Sequence, residues 1–468
     1  MSLSPCRPTR HTAIKCLLRY LAVLAISVLS NAARAESLGQ SALDALSADS
    51  RFQAAMATQR AGIERKPQAR AGLLPQIGIQ QLINRNGVRI PGQSVPGYST
   101  VGFTITLNQP LFDLQAWENW QEGKLLATDA DLELAQAQQD LLLRLAQAYF
   151  DALTAKVDLT LSVRHRISIV EQLTLAKRRF ALGDATIVDE NEAKASFDMA
   201  LSDEIAAQTR LTAKYAALSK IVGHSITRVD DFRDDVPVPG LDPAGLTQWL
   251  DASSGSYSVS RKRIALQLAE HERAKARSGD YPTVSLVGTL NNGNAAFING
   301  QANFYTGGNR GTAGYIGVQI SLPLTDGLMT RSRIRETLAL RDKAQHELDD
   351  TLSDAELATR DAYSGVTQGA ALVRALATAV QSACVSLRSN NTGYRAGVRI
   401  NADVLDAQDK LIRAQRDLVR ARADALVQGL KLKASTGTLD YADLADLDRL
   451  LQSGQSGSGA NGDWPCTA

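Results

Sequence analysis

The stretch Tyr394-Arg395-Ala396-Gly397-Val398-Arg399-Ile400-Asn401-Ala402-Asp403-Val404-Leu405-Asp406 gathers one tyrosine, two arginines and two carboxylates. The chemistry open to these groups is charge pairing and hydrogen bonding. Long helix-forming segments flank the stretch. Gly397 reads as a helix stop. Asp403 reads as a start signal, because its carboxylate can accept from a free backbone N–H. The spacing therefore predicts a turn between two helices, with its polar groups at the tip. Catalytic chemistry has no comparable cluster. His165, His224, His271 and His346 lie far apart without metal-ligand spacing. No nucleophile elbow, Walker loop or dinucleotide fingerprint occurs. Gly307-Gly308-Asn309-Arg310-Gly311 falls in a hairpin loop and not before a helix. No enzyme activity, metal or cofactor is expected.

The tip occurs twice. Phe180, Gly183, Asp189, Glu192 and Ala193 match Tyr394, Gly397, Asp403, Asp406 and Ala407 at a constant offset of 214, and Gly223 matches Gly437 at the same offset. Upstream, Ala69 to Pro75 recurs as Ala276 to Pro282 at an offset of 207, and Pro110-Leu111-Phe112-Asp113 recurs as Pro323-Leu324-Thr325-Asp326 at 213. A gapless match over the helices identifies two copies of one unit, and the growing offset puts the insertion in a loop.

Each copy must supply elements that carry its tip. In Val101 to Leu107 the odd positions are apolar, and in Ile316 to Leu322 apolar and small or polar residues alternate as clearly. Gln76 to Gln81 and Thr283 to Leu290 are the extended partners, joined through Gly- and Asn-bearing loops near 82–99 and 291–313. Each copy thus holds a hairpin with one apolar and one polar face. A helix precedes each hairpin, over 41–72 with a break near Pro67 and over 257–279. After each hairpin, 114–181 and 328–392 read as very long helices. At about 1.5 Å per residue, ~65 residues reach roughly 100 Å. Returning helices cover 189–222 and 403–436. Apolar spacing such as Leu141, Leu145, Ala148, Tyr149 is that of an antiparallel coiled coil.

The ends and the charge narrow the setting. Arg7, Arg10, Lys15 and Arg19 precede a short apolar core, Leu21 to Leu29, and Ala33-Arg34-Ala35 is a small-x-small site, so residues 1–35 read as a signal peptide cleaved near Ala35. Removing its five Lys/Arg leaves 46 basic against 49 acidic residues, a net of −3, and nothing points to nucleic acid. Cys384 and Cys466 remain, and a bond between them stays open. No continuous apolar run of about eighteen residues follows the signal, so membrane entry rests on strands. The expected domains are 1–35 signal; 36–223 first repeat, with hairpin 74–112 and helices 113–223; 224–256 connector with a short helix near Leu246 to Leu250; 257–437 second repeat, with hairpin 281–325 and helices 327–437; and 438–468 tail, its end Gly/Ser-rich.

Leu73-Leu74-Pro75-Gln76, Phe112-Asp113 with Trp117, Arg179-Phe180-x-x-Gly183, and Gly393-Tyr394-x-x-Gly397-x-Arg399 followed by Asp403-Val404-Leu405-Asp406 resemble the TolC-like outer-membrane efflux proteins over about residues 40–440. The resemblance implies an α+β membrane protein. In it, long antiparallel coiled-coil helices form a periplasmic tunnel, and four strands per chain enter a shared trimeric outer-membrane β-barrel. It implies a homotrimer in outer-membrane lipid, spanning into the periplasm of a Gram-negative cell. A periplasmic adaptor and an inner-membrane ABC or other transporter would be its partners. Carried over, Tyr394 and Arg399 would bond a neighbouring helix pair near Asp189 as a periplasmic gate latch, and Asp403 and Asp406 would ring the bore with carboxylate. Where the family pattern has Thr before the matching Asp, this chain has Val188, which removes a hydroxyl from the Arg399 link. From the residues alone, Asp189 and Asp403 equally fit helix caps, Arg399 a solvated charge, and Tyr394 a ring packed on Arg179. Trp117 and Trp120 fit either helix packing or an interfacial belt. The function implied is a passive exit duct for type I protein secretion. Small-molecule drug or metal efflux is the rival cargo, and a soluble periplasmic coiled-coil scaffold is the rival class.

Overall fold

The computed structural model describes residues 37–86, 89–94, 98–183, 186–232, 245–293, 297–298, 301–302, 311–449 and 451–452. The signal segment with its Ala33–Ala35 site, part of the 224–256 connector, and the tail from 453 with Cys466 lie outside the described residues. Helices run in the order α1 Leu38–Ala48, α2 Ser50–Ile63, α3 Arg65–Ala71, α4 Leu114–Leu182, α5 Ile187–Val222, α6 Leu246–Ser253, α7 Tyr257–Ser278, α8 Met329–Arg395, α9 Asn401–Ser435 and α10 Tyr441–Asp448. Four long strands are β1 Gln76–Asn86, β2 Tyr98–Phe112, β3 Thr283–Gly293 and β4 Gly311–Ser321. The segment expected as a helix over 41–72 with a break near Pro67 is three helices. Its last break falls at Glu64, so Pro67 sits in the first turn of α3, where its missing N–H leaves no intrahelical bond unmade. The strands also run further into the expected loops, to Asn86 and Gly293.

The chain divides into two compact units, and each draws on both repeats. The first comprises residues 54–138 and 250–358. Its centre is one antiparallel sheet in the order β1-β2-β3-β4. Register aligns the apolar residues on one face. Ile79 pairs with Ile105 and Ile105 with Leu290, while Leu286 pairs with Val318 and Val284 with Ile320. Ile77, Ile79, Ile316, Val318 and Ile320 are all largely exposed on it. The other face is polar: Thr106 pairs with Thr289, and Thr104 Oγ1 donates to Asn291 Oδ1 at 2.7 Å. Strands of eleven residues match the span of a tilted transmembrane strand. Beside the sheet, Asp113 accepts from the Ala116 N–H and Asp326 from those of Leu328 and Thr330, so each caps the long helix that follows.

The second unit comprises residues up to 53, 139–249 and 359–468. It is held by seams of seven-residue period. On α8, Thr359, Val366, Val373, Val380 and Tyr394 are buried. On α9, Val404, Leu411, Leu418, Ala425 and Leu432 are buried. A seven-residue repeat keeps one face toward a partner only if the helices supercoil left-handedly. Val373, Val380 and Cys384 pack against Leu411, Leu418 and Ala421. Cys384 takes part in a disulfide. The sequence showed no continuous apolar run, yet α8 holds an eighteen-residue window of mean hydropathy 1.5. Only 17 % of that window is buried within the chain. Elsewhere Phe150 stacks on Phe232, and Asp230 N–H donates to Tyr149 Oη at 3.1 Å. Burial, followed by the Asp230 charge, pushes the Tyr149 hydroxyl far above its ordinary range.

Leu418 is 3 % exposed at the centre of the α8–α9 seam. Leu418→Ala is expected to remove about 2–5 kcal/mol by opening a cavity. A lowered unfolding midpoint in detergent checks this; an unchanged midpoint would show that the seam contributes little.

Candidate functional site

The two tips are built alike and finished differently. In the first, α4 ends at Leu182, Gly183 takes φ 80°, and Thr186 is the N-cap of α5. Thr186 Oγ1 accepts from the Asp189 N–H, and the Thr186 N–H donates to Asp189 Oδ2 at 2.9 Å. Asp189 is therefore the returning member of a capping box and not the cap itself. Thr186-x-x-Asp189 carried that signal in the sequence, and the reading passed over Thr186. Among the described residues, Thr186 is the only hydrogen-bond partner of the Asp189 carboxylate, through Oδ2.

In the second tip, α8 ends at Arg395 and Gly397 takes φ 76°, a conformation that favours glycine. The N–H groups of Val398 and Arg399 both donate to Gly393 O, closing the helix end. Gly393 has a second reason to lack a side chain: a Cβ there would lie 2.8 Å from Arg399 Cγ, so the arginine stem crosses the helix at this point. The N-cap of α9 is Ile400, which has no acceptor side chain. Asp403 occupies the same helical position as Asp189 but meets no threonine. Its carboxylate pairs with Arg399 instead, at 3.5 Å. Asp406 pairs with Lys410 at 2.6 Å, with both side chains largely exposed. Lys410 was missed by the sequence reading, although Asp to Lys at four residues is an ordinary helical ion pair.

Tyr394 is 6 % exposed and ends the seven-residue seam of α8. Its ring lies under the Arg179 guanidinium at 4.4 Å, a cation–π contact joining the ends of α4 and α8. Within one chain, then, the structure brings Tyr394 to Arg179, Arg399 to Asp403, and Asp189 to Thr186. It does not bring Tyr394 or Arg399 to Asp189. Asn401, the first residue of α9, is fully buried with both amide atoms unpartnered among the described residues. Leu182, Ile187, Val188, Val398 and Ile400 leave apolar side chains exposed at the two turns.

Behind the tips, the faces of α9 differ. Toward α8 the contact is aliphatic. Toward α4 it is mostly polar: Gln408 Nε2 donates to Ser168 Oγ at 2.8 Å, Arg416 Nη2 to Ser162 Oγ at 2.7 Å, and His165 Nε2 meets Asp409 at 3.1 Å. The His165 hydrogen bond, opposed by burial, holds the Asp409 carboxyl below its ordinary value. Among the described residues no three His, Cys, Asp or Glu side chains converge to hold a metal ion.

Because the folded-state value of Asp409 is depressed, its stabilising effect is complete above the ordinary carboxylate range and is lost as pH falls through the depressed value. Asp409→Asn should lower the melting temperature at neutral pH, with the difference shrinking as pH falls through the depressed carboxyl range. A difference that grows on acidification would contradict the sign.

The family model described as "Outer membrane efflux protein" matches residues 43–224 and 251–438. The alkaline protease secretion protein AprF of Pseudomonas aeruginosa is 29% identical over 410 residues, 86% of this chain and 84% of that protein. The outer membrane protein TolC of Vibrio cholerae is 29% identical over 443 residues, covering 94% and 99%. The proteases secretion protein PrtF of Dickeya chrysanthemi is 28% identical over 447 residues, covering 92% and 95%. Among solved structures, CusC superposes with a TM-score of 0.76 at 15% identity, over 86% of this chain and 92% of that one. VceC of Vibrio cholerae gives 0.73 at 20%, over 86% and 96%. These likenesses share one fold of helical tunnel and barrel strands, and the matched sequence covers most of both repeats. The chain belongs to the outer membrane efflux protein family, located in the outer membrane and spanning into the periplasm.

Proposed function

We propose that this chain is the outer-membrane exit duct of a type I protein-secretion system. It would work as a homotrimer with a periplasmic adaptor and an inner-membrane ABC or other transporter. The observation that carries the cargo class is the similarity along nearly the whole chain to proteins named for protease secretion, AprF and PrtF. Small-molecule efflux is the second reading, favoured by the equal similarity to TolC and the weaker one to BepC of Brucella suis, an outer membrane efflux protein. The test is complementation of a host lacking its own duct but holding a protease exporter and adaptor. Protease in the medium without restored drug resistance is the expected result. Resistance without export would replace the first reading by the second.

Trimer formation has a physical motive. The sheet has free edges at β1 and β4, which lipid cannot satisfy. Closed barrels start near eight strands, so at least two chains are required, and the family resemblance supplies three.

At the tip, Asp189 Oδ1 and the Arg399 guanidinium are the groups suited to a latch between chains. Arg399 then has two alternative partners: Asp403 in its own chain, and Asp189 in the next. Closure transfers the arginine from one to the other. The transfer exchanges one exposed ion pair for another, a difference of about 0–1 kcal/mol, so opening needs little work. Tyr394 holds the end of α8 in register for this exchange through its seam position and Arg179. Each chain also places Arg399 and Lys410 against Asp403 and Asp406, so the carboxylates dominate the bore potential only while Arg399 is engaged with a neighbour.

Single-channel recordings test both roles. Arg399→Ser should raise resting conductance severalfold without preventing assembly, and Asp189→Ala should give part of that rise. Asp403→Ala with Asp406→Ala should shift the duct away from cation preference, because Arg399 and Lys410 remain. Unchanged conductance in the first pair removes the latch. Unchanged selectivity in the second places those acids off the bore.

A further inference from the structure

We infer that the groove between α4, α5 and α9 is a binding site for a small dianionic oxyanion of the phosphate or sulfate type. The groove lies within the unit of residues 139–249 and 359–468. Its volume is about 240 Å³. Pockets for drug-sized molecules run from about 300 to 1,000 Å³, so the occupant is small. Four cations line the groove: Arg210 and Lys214 from α5, and Arg416 and Arg420 from α9. Two carboxylates line it, Asp151 and Asp158, both from α4. Four against two leaves a surplus of two positive charges. Asp424, one turn beyond Arg420 on α9, feels both Arg420 and Asp151, and counting it leaves a surplus of one. Burial pushes the Asp424 carboxyl up, which weakens that offset. The pairs Lys156–Asp231 and Arg166–Glu204 on the same helices cancel.

The two carboxylates are shared, so donors are left over. Asp158 accepts from Arg210 Nη2 at 2.9 Å and faces Arg416 Nε at 2.7 Å. Asp151 holds Lys214 Nζ at 2.8 Å and also accepts from Gln147. Arg420 has no hydrogen-bond or ion-pair partner among the described residues. A guanidinium carries five N–H donors and an ammonium three, so Arg210 and Lys214, each with one engaged, keep the rest. Leu161 and Val419, both buried, also line the groove. An apolar wall lowers the local dielectric and strengthens attraction for an anion. Guanidinium forks arriving from separate helices suit a tetrahedral oxyanion, whose oxygens accept in several directions; a halide offers no such set. Bound there, the anion would add a second bridge between α5 and α9 beside Asp158.

The test is titration calorimetry of sodium phosphate into the purified full-length protein at about pH 7.5, where phosphate is mainly dianionic, with ionic strength held constant by sodium chloride. Phosphate should bind saturably, one per chain, and sulfate should compete where chloride does not. Arg420→Gln with Lys214→Gln should weaken binding about tenfold or more. Asp151→Asn removes an acid from the lining and should tighten binding severalfold. Arg374→Gln, which takes the same charge from an exposed position on α8, should leave the affinity unchanged. No saturable binding in the parent protein, displacement by chloride, or equal weakening by Arg374→Gln and the groove double variant overturns the inference. If the double variant does not assemble, Asp151→Asn decides: unchanged or weaker binding overturns it.

Discussion

Backbone hydrogen bonding in lipid is the constraint on which the rest depends. A four-stranded meander with an outward apolar face leaves the edge N–H and C=O groups of β1 and β4 without partners. In water such an edge is tolerable; in hydrocarbon each unpaired group costs several kcal/mol. The sheet is complete only as part of a larger closed one. The duplication serves this need, since each repeat brings one hairpin and β2 pairs with β3 across the repeats. That pairing explains why the compact units of the chain are not the repeats: the two hairpins fold as one sheet, and both long helices contribute to both units.

The helices solve a different problem, that of staying ordered over many turns with few large side chains. Aromatic residues make up 5% of the chain. A seven-residue repeat answers it by concentrating Val and Leu in one seam, while Ala, Ser and Thr elsewhere keep the helices close. Tyr394 ends that seam on α8, so the residue nearest the turn is fixed by the same regularity that fixes the helix. The α4–α9 contact has another character. Its hydrogen bonds among Ser162, Ser168, Gln408 and Arg416 are each worth about 0.5–1.5 kcal/mol net, and water can replace them.

Much of this was legible in the sequence because it is periodic. Alternation placed the strands, the near-absence of Gly and Pro placed the long helices, and Gly183 and Gly397 placed the turns, since only a left-handed residue closes a helix there. What escaped was decided by single side chains competing for one group. Asp189 and Asp403 looked equivalent and sit at equivalent positions, yet Thr186 against Ile400 sends one carboxylate to a backbone N–H and the other to an arginine. Lys410 escaped because an exposed ion pair four residues apart on a helix is too common to mark a site. The break at Glu64 escaped because Pro67 drew the boundary to itself, whereas a proline in the first turn follows a break. The contacts of one chain were within reach of residue chemistry; contacts between chains were not.

The tip shows what this difference between copies does. Had both N-caps been threonine, Asp403 would be tied to its own helix end, and Arg399 would have no partner in its own chain. The guanidinium would then be committed to a neighbour or left to water, and opening would separate charges outright. With Ile400 in place of a cap, the α9 terminus gives up an interaction worth about 1 kcal/mol. In exchange it offers Arg399 a resting place 3.5 Å away. The buried amide of Asn401, unpartnered among the described residues, adds a desolvation cost at the same helix start. The first tip, with its full capping box, has more of its helix-end groups satisfied than the second. In the proposed latch, a capped acceptor on one hairpin and an arginine with two partners on the other would make a closure that is specific in geometry and shallow in energy.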